Sequence, residues 1–198
     1  MTDSWNDYAD SWDDNSDARY YSTQAFATLD AFCGLTSGRF KAKRVLDFGC
    51  GTGLLCEKIA PHVNEVVAVD TSDRMIAVLE AKALPNVRAI HGDILDGPSE
   101  GSDAPHLRFD LVCASSVCGF LPDYLGAVAR LAELLNPGGI FIQWDWKAVD
   151  DSGFGLTEQM MRDALQNAGL QEFHFEQAFE VATAGQVMPV LMAAGQRL

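Results

Sequence analysis

The sequence predicts an α/β fold in which a mainly parallel sheet is covered by helices on both faces. Three observations support this prediction. Short apolar segments of strand character alternate with helical segments along most of the chain. One of these strands, Val45 to Phe48, runs directly into a loop with glycine at residues 49, 51 and 53. The last two predicted strands follow each other without a helix, so we expect an antiparallel hairpin at a sheet edge.

The predicted strands are short and rich in β-branched and apolar residues. They lie near residues 43–48, 65–70, 87–91, 109–114 and 139–145, with the closing hairpin near 172–181 and 188–196. Helices are predicted at about 54–61, 73–83, 122–135 and 157–168. Thr157 is a suitable N-cap for the last of these helices, and Gly169 a suitable left-handed residue at its end. The segment 92–108 is rich in Gly, Pro, Ser and Asp, which indicates a surface loop.

The spacing in the glycine loop favours a cationic nucleoside over a dinucleotide. A dinucleotide fingerprint is Gly-x-Gly-x-x-Gly, in which a helix N-terminus receives the pyrophosphate. Here the third glycine comes one position early, and Leu54 stands where that glycine belongs. Asp47 precedes the loop in apolar surroundings, where it needs a polar or cationic partner and repels a pyrophosphate. A nicotinamide-dependent oxidoreductase is therefore disfavoured.

Five segments in order resemble the motifs of the class I S-adenosylmethionine-dependent methyltransferases. They are Val45–Gly53, Glu65–Met75, Asn86–Ile94, Phe109–Ser116 and Leu135–Phe141, and the resemblance covers roughly residues 43–197. It implies a Rossmann-like, doubly wound, seven-stranded sheet in the order 3-2-1-4-5-7-6, with strand 7 antiparallel. It also implies S-adenosylmethionine as the methyl donor, S-adenosylhomocysteine as the product and a small molecule as the acceptor.

The same resemblance implies which residues contact the cofactor. Asp70 occupies the position that binds the ribose hydroxyls, Met75 the position that covers adenine, and Asp93 the position that meets the adenine amino group. The other expected contacts come from the glycine loop and the strand ends: Asp47, Gly49, the backbone amide of Cys50, Gly51, Thr71, Gly92, Ile94 and Ser115.

The first forty residues carry several aromatic side chains among acids and resemble the helical cap of small-molecule members of this family. Trp5, Tyr8 and Trp12 are spaced i, i+3 and i+7, which places them on one helical face. This stripe either packs on the domain or closes over the sulfonium, an interaction that aromatic rings favour, with Tyr8 and Tyr20 as the candidates. We predict one domain over 1–198, with a cap at 1–40 and a cofactor-binding core at 41–198.

The acceptor is expected at the carboxyl ends of the fourth and fifth strands, where open α/β sheets bind ligands. Phe120, Trp144 and Trp146 are the candidate lining residues. Displacement at a sulfonium methyl depends mainly on orientation, so a dedicated base is not obligatory. Asp145 and His91 are the candidate bases if the acceptor is a hydroxyl or a protonated amine. The sequence identifies no other catalytic residue.

Composition limits the partners further. The chain has 198 residues, 28 acids and 14 bases, and the resulting charge of −14 works against nucleic-acid binding. No apolar run approaches the length of about 18 residues that a membrane span needs. The five cysteines form no Cys-x-x-Cys pair, so we expect no metal and a reducing cytoplasm. Monomer and homodimer both stay open.

A second function class also stays open. A non-catalytic module that binds S-adenosylmethionine or S-adenosylhomocysteine, as a sensor or a partner subunit, keeps the cofactor half of the site. Its acceptor side is closed by residues such as Phe120 or Trp144.

Overall fold

A computed structural model describes residues 3–96, 108–148, 154–183 and 185–198. Its seven strands are β1 (Arg44–Phe48), β2 (Glu65–Asp70), β3 (Val87–His91), β4 (Phe109–Ser115), β5 (Leu135–Trp146), β6 (Gln171–Thr183) and β7 (Gln186–Gln196). They form one sheet in the order β3-β2-β1-β4-β5-β7-β6. Strand β7 is antiparallel to both of its neighbours. The predicted fold class, strand order and closing hairpin are confirmed.

The α-helices are α1 (Asp3–Asn6), α2 (Ala9–Trp12), α3 (Ser16–Cys33), α4 (Cys56–Ile59), α5 (Asp73–Ala81), α6 (Tyr124–Glu133) and α7 (Glu158–Asn167). The first predicted core helix, 54–61, is shorter than expected. Its α-helical part ends at Ile59, and the chain continues as a 3-10 turn over Ala60–His62. Pro61 explains this ending, because its ring nitrogen has no hydrogen to continue the helical ladder. None of the described helices is long and apolar enough to cross a bilayer.

The chain divides into two compact units, residues 1–103 and residues 104–198. In the first unit, β1, β2 and β3 are parallel neighbours, with Val45 opposite Val66 and Val66 opposite Val87. The inner residues of β1 and β2 are buried, as expected for parallel strands that are covered on both faces. Ser72 caps the start of α5 by accepting a hydrogen bond from the backbone N–H of Met75.

In the second unit, β4 and β5 are parallel, and β5 begins at Leu135 rather than near 139 as predicted. The reason is a register shift: Phe109 lies opposite Leu135, whereas Leu111 lies opposite Ile140. The intervening residues of β5 bulge out. Gly139 permits this bulge, because an added Cβ would lie 2.8 Å from the carbonyl oxygen of Asn136.

The predicted caps of the last helix are confirmed. The hydroxyl of Thr157 accepts a hydrogen bond from the backbone N–H of Met160 at 3.1 Å, and Gly169 follows the helix with φ at +69°. Of the loop predicted at 92–108, residues 94–96 form a 3-10 turn. Residues 97–107 lie outside the described part of the chain, so the loop prediction stays a prediction there.

Candidate functional site

The glycine loop after β1 is built from residues with left-handed backbone. Gly49, Gly51 and Gly53 have φ values of +68°, +53° and +83°, a region that favours glycine over other residues. Gly53 has a second constraint, because an added Cβ would lie 2.3 Å from the Cδ1 atom of Leu79 on α5. The loop conformation and its approach to α5 both depend on the absence of side chains.

Asp70, the last residue of β2, holds the glycine loop through its carboxylate. Its Oδ2 atom accepts a hydrogen bond from the backbone N–H of Gly51 at 2.8 Å, and its Oδ1 atom accepts one from Ser72 at 2.8 Å. Each carboxylate oxygen has more than one lone pair. The side chain predicted to bind ribose hydroxyls is therefore positioned beside the loop with acceptor capacity to spare.

Trp12 is an N-terminal aromatic side chain that reaches the glycine loop. Its indole nitrogen and the sulfur of Met75 both lie 3.9 Å from the point where a Cβ of Gly51 would stand. Tyr8 and Tyr20, the aromatic residues predicted to cover the sulfonium, are instead 56% and 45% exposed. Met75 is buried against the loop, so the side chain predicted to cover adenine is itself covered by protein in this structure.

The predicted single aromatic face is formed by two short helices rather than one. Helix α1 ends at Asn6 and α2 starts at Ala9, so the chain turns between Trp5 and Trp12. The ring of Trp5 contacts both Tyr8, with centroids 6.4 Å apart, and Trp12, with centroids 6.0 Å apart. The turn directs Trp12 inward and leaves Tyr8 exposed.

We call residues 5–14 the N-terminal arm, and its C-terminal end is attached to the glycine loop and to Lys82, which follows α5. Asp13 pairs with the ammonium of Lys82 at 2.7 Å, and Lys82 also pairs with Glu57 at 2.6 Å. The hydroxyl of Thr52 donates a hydrogen bond to Asp13. Burial lowers the pKa of Lys82, but its hydrogen bonds to Asp13 and Glu57 outweigh this effect and the pKa is raised.

The other end of the N-terminal arm is attached to the first turn of α5. The side-chain amide of Asn6 donates to Asp73 at 2.8 Å, and Asp10 forms an ion pair with Arg74. Sequence reasoning missed these contacts and those of Asp13, because the partners lie far apart in the chain. The excess of acids among the first forty residues was the signal that could have indicated cationic partners.

Asp47 lies inside the first unit, and its described partner is a thiol rather than a cation. The Sγ atom of Cys56 donates a hydrogen bond to the Oδ2 atom of Asp47 at 3.0 Å. Burial raises the pKa of Asp47 to about 7, although the hydrogen bond from Cys56 opposes the shift. The expectation of a polar partner is met by Cys56, and the carboxyl lies beneath the loop rather than at its surface.

The backbone amide of Cys50 is expected to contact the cofactor, and in the structure it has a partner within the chain. The N–H groups of Gly49 and Cys50 both donate to the carbonyl oxygen of Val69, at 2.8 and 3.1 Å. These amides continue the hydrogen bonding between β1 and β2. They fix the start of the loop.

The segment after β3 turns back towards Asp70. The N–H of Gly92 donates to the carbonyl oxygen of Asp70 at 3.0 Å. The carboxylate of Asp93 accepts a hydrogen bond from Leu95 at 2.9 Å and so fixes the turn that begins at Ile94. Asp93 is exposed, which leaves it accessible to a ligand.

His91, one candidate base, lies at the surface at the end of β3. Its Nε2 atom is 3.2 Å from the carbonyl oxygen of Thr71. When Nε2 carries the hydrogen and donates to that carbonyl, only Nδ1 is left to accept a proton.

In the second unit, the other candidate base is buried at the end of β5. The Oδ1 atom of Asp145 accepts a hydrogen bond from the backbone N–H of Gly119 at 2.9 Å. Burial raises the pKa of Asp145 to about 8, so the carboxyl holds its proton at neutral pH. A carboxyl that already carries its proton cannot accept another, which argues against Asp145 as a general base.

The acceptor-side candidates divide between core and surface. Trp144 is fully buried between Ser115 of β4 and Met192 of β7 in the middle of the sheet, so the expectation that it lines a pocket is wrong. Trp146 ends β5 and is partly exposed, and Phe120 lies in the exposed turn after β4. Among the residues that the structure describes, no group of His, Cys, Asp and Glu is arranged to hold a metal.

Comparisons with known proteins agree with this geometry. Residues 18–182 match a family profile described as a methyltransferase domain. Ubiquinone biosynthesis O-methyltransferase of Cereibacter sphaeroides is 37% identical over 153 residues, which are 66% of this chain and 61% of that protein. Trans-aconitate 2-methyltransferase of Deinococcus radiodurans is 37% identical over 99 residues, 49% of this chain and 35% of that protein. The matched part of the chain thus spans 35% and 61% of these curated relatives.

A solved structure shows the same fold. The N-methyltransferase NodS from Bradyrhizobium japonicum, in complex with S-adenosylhomocysteine, superimposes with a TM-score of 0.66 at 22% identity. The alignment covers 93% of this chain and 89% of that one. The sheet order and the glycine loop define the class I S-adenosylmethionine-dependent methyltransferases. The chain belongs to this class, and within it to the methyltransferase-domain family that its residues 18–182 match.

Proposed function

We propose that this chain binds S-adenosylmethionine at the glycine loop and transfers its methyl group to a small-molecule acceptor. The observation that carries the proposal is the Asp70 carboxylate, which ends β2 and holds the Gly51 amide at 2.8 Å. An acid in this position, beside a loop of left-handed glycines, suits a ribose with two free hydroxyls. A pyrophosphate at the same place would be repelled.

The charge of the chain supports a cationic cofactor. The formal net charge is −14, and Asp70 ends β2 while Asp93 follows β3, both at the end of the sheet where the loop lies. S-adenosylmethionine carries a sulfonium and an ammonium beside its carboxylate. A field of this sign attracts the methyl donor before contact.

Each proposed contact follows from the position of the residue. Asp70 accepts hydrogen bonds from the ribose hydroxyls, and Asp93 and Ile94 contact the adenine. Thr71 and Met75 border the base, and Ser115 borders the methionine part. Gly49, Gly51 and Gly92 supply backbone without side chains. Asp47 and Cys50 act indirectly. Asp47 lies beneath the loop, and the backbone N–H of Cys50 donates a hydrogen bond to the carbonyl oxygen of Val69.

The cofactor, when bound, supplies an activated methyl: the carbon–sulfur bond breaks with its electron pair left on sulfur, while an acceptor lone pair forms the new bond. The protein's part is to hold the acceptor in line and to exclude water. The N-terminal arm contributes to the second task through Trp12 at the loop. The proton of a hydroxyl or amine acceptor leaves to water or to an exposed group such as His91.

Titration calorimetry with S-adenosylmethionine and S-adenosylhomocysteine tests the proposal. The variant Asp70→Ala loses the ribose contact and should bind both ligands more weakly by about 1–3 kcal/mol. Asp163→Ala is the matched control, since it removes an exposed acid on α7 that contacts Gln159. Thermal unfolding of both variants shows whether the fold persists. Parent-like affinity in Asp70→Ala contradicts the assignment of Asp70.

A second candidate function is a binding module without turnover. The observation that favours it lies on the proposed acceptor side, where Trp144 is fully buried and the carboxyl of Asp145 is protonated at neutral pH. Such a module binds S-adenosylhomocysteine yet transfers no methyl group to any acceptor. Turnover with one acceptor excludes it.

A further inference from the structure

Three aromatic side chains in the second unit form a contiguous surface, which we call the aromatic cluster: Phe120, Trp146 and Phe154. The ring of Phe154 lies between the others, with its centroid 6.1 Å from Phe120 and 6.5 Å from Trp146. Phe120 and Phe154 are 44% and 42% exposed. Single exposed aromatic residues are ordinary, but a contiguous aromatic surface commonly marks a binding site.

The aromatic cluster lies at the functional end of its unit. Trp146 is the last residue of β5, and Phe120 ends the 3-10 turn that follows β4. These two strands are parallel neighbours, with Ser115 opposite Trp144 near their carboxyl ends. Open α/β sheets bind their ligands beyond this end of the strands.

Backbone hydrogen bonds hold the cluster in place. The N–H of Leu156 donates to the carbonyl oxygen of Trp146 at 2.8 Å, which fixes the segment that carries Phe154. The N–H of Gly119 donates to Asp145 at 2.9 Å, which fixes the turn that carries Phe120. Each aromatic residue is thus at, or within two residues of, a hydrogen bond that positions it. Such preorganisation lowers the entropy cost of binding.

The turn that carries Phe120 is held by a buried carboxyl, and burying this polar group costs free energy that the fold alone does not explain. Asp145 is buried, and its Oδ2 atom has no hydrogen-bond partner among the residues that the structure describes. An added Cβ at Gly119 would lie 3.3 Å from Oδ1, a tight contact, so the close approach favours glycine. A buried polar atom without a partner calls for a functional explanation. Holding Phe120 in the cluster provides one, with Asp145 as a positioning residue.

The ring geometry distinguishes a flat ligand from a cation. A group enclosed between two rings needs their centroids roughly 7 Å apart, twice a contact distance of about 3.5 Å. The observed 6.1 and 6.5 Å mean that Phe154 touches both neighbouring rings and leaves no room for a group between itself and either of them. Burial raises the pKa of Asp145 to about 8, so this carboxyl offers no charge to an ammonium at neutral pH. The described ring contacts thus form a continuous apolar surface.

We propose that the aromatic cluster recognises a flat, uncharged, conjugated ring in the methyl acceptor. This inference rests on the proposed function, since it names the substrate class of the same enzyme. Stacking on rigid aromatic rings gives a flat ring both affinity and orientation. Orientation is what a displacement at a methyl group requires. Polycarboxylates are disfavoured by the net charge of −14.

The test is calorimetric titration of the full chain, saturated with S-adenosylhomocysteine, with 2,3-dihydroxynaphthalene as the probe. Citrate and choline are titrated in parallel as a tricarboxylate and a quaternary ammonium. We expect the naphthalene to bind and the other two to bind at least roughly tenfold more weakly. Tighter binding of citrate or choline overturns the proposal.

Variants connect the binding to the aromatic cluster. Phe154→Ala and Phe120→Ala should each weaken naphthalene binding roughly tenfold, and Phe154→Trp should retain it. Phe32→Ala is the matched control, because Phe32 is a phenylalanine 36% exposed on α3. Unchanged naphthalene affinity in both alanine variants overturns the assignment.

Two further measurements separate the causes of a failure. Affinity for S-adenosylhomocysteine should change less than roughly twofold in all of these variants, since their side chains are assigned to the acceptor. If S-adenosylhomocysteine itself fails to bind the parent chain, the proposed function fails. The naphthalene titration without it then still decides whether the aromatic cluster is a ring-binding surface. Asp145→Leu should weaken binding of the naphthalene. Asp145→Asn should not, because the amide oxygen of asparagine can still accept the hydrogen bond from Gly119.

Discussion

The two units of the chain each bury one aspartate at the end of a parallel strand, and the surroundings of the two carboxyls differ. Asp47 at the end of β1 accepts a hydrogen bond from Cys56, beneath a loop whose shape comes from three glycines. Asp145 at the end of β5 accepts one from Gly119, beside a turn that carries an exposed aromatic ring. The first region is specified by backbone conformation and the second by side chains.

This difference separates what a family shares from what an individual member recognises. A glycine loop offers the same backbone to the same cofactor, so its residue pattern is restricted. An aromatic surface offers shape and stacking, and many residue combinations achieve that. Perturbing one region should therefore affect the cofactor, and perturbing the other should affect the acceptor.

The largest expected effect comes from closing the glycine loop with one methyl group. Gly53→Ala places a Cβ 2.3 Å from Leu79, in a residue whose φ is +83°. The backbone strain costs about 1–2 kcal/mol, and the overlap adds about 1–3 kcal/mol. We expect a lower free energy of unfolding and loss of S-adenosylhomocysteine binding, measured by denaturant unfolding and calorimetry.

Gly169→Ala is the control for this prediction. Gly169 has a similar φ of +69°, but an added Cβ meets nothing within 4 Å. The free energy of unfolding of this variant should fall by the backbone strain alone, and its affinity for the cofactor should equal that of the parent chain. Equal destabilisation by the two variants would mean that the approach of α5 to the loop contributes nothing.

The second effect is the dependence of stability on pH. The pKa of Asp145 is raised to about 8, above an unfolded value of about 3.9. The folded chain then binds a proton that the unfolded chain has lost, so stability is full below the unfolded pKa and falls as pH rises towards 8. The slope is about 1.4 kcal/mol per pH unit for one such group. Asp47, with a pKa raised to about 7, adds a second slope of the same sign.

Denaturant unfolding between pH 5 and 8 measures this slope. Asp145→Asn cannot titrate and should remove one of the two contributions, while it keeps an oxygen for the Gly119 amide. Between pH 7 and 8 the titration of these two acids should contribute little to the pH dependence of the variant's free energy of unfolding. A slope identical to that of the parent would show that Asp145 is ionised when buried.

The order of the sheet was predictable because each strand has a short apolar sequence and because parallel strands require helices between them. The loop was predictable for the same kind of reason, since glycine spacing reports backbone conformation directly. The start of β5 was not, because the bulge opposite Phe109 depends on pairing between distant residues. The motif Leu135–Phe141, which the resemblance places at the entry to the fifth strand, is the first part of that strand.

The site residues were predicted less evenly. Asp70 ends β2, where the motif places it, but its hydrogen bond with the Gly51 amide was not predicted. Trp144 and Trp146 look equivalent in sequence, yet the first is enclosed by neighbouring strands and the second is at a strand end. Phe154 was missed altogether, because nothing local connects it to Phe120. Such contacts arise only when the chain has folded.

The smallest expected effect concerns the N-terminal arm, which lies over the cofactor region of the first unit. Lys82 is paired with both Asp13 and Glu57, and its side chain is only 16% exposed. Lys82→Met leaves two acids without a cation, so we expect a loss of about 1–2 kcal/mol in stability. Affinity for S-adenosylhomocysteine should fall as well, because the end of the arm next to Trp12 loses its ion pair with Lys82. Arg130→Met is the control: Arg130 pairs with Glu133 and is 50% exposed, so the loss should be under about 1 kcal/mol and the affinity unchanged. Equal effects of the two variants on affinity would show that the attachment of the arm does not contribute to cofactor binding.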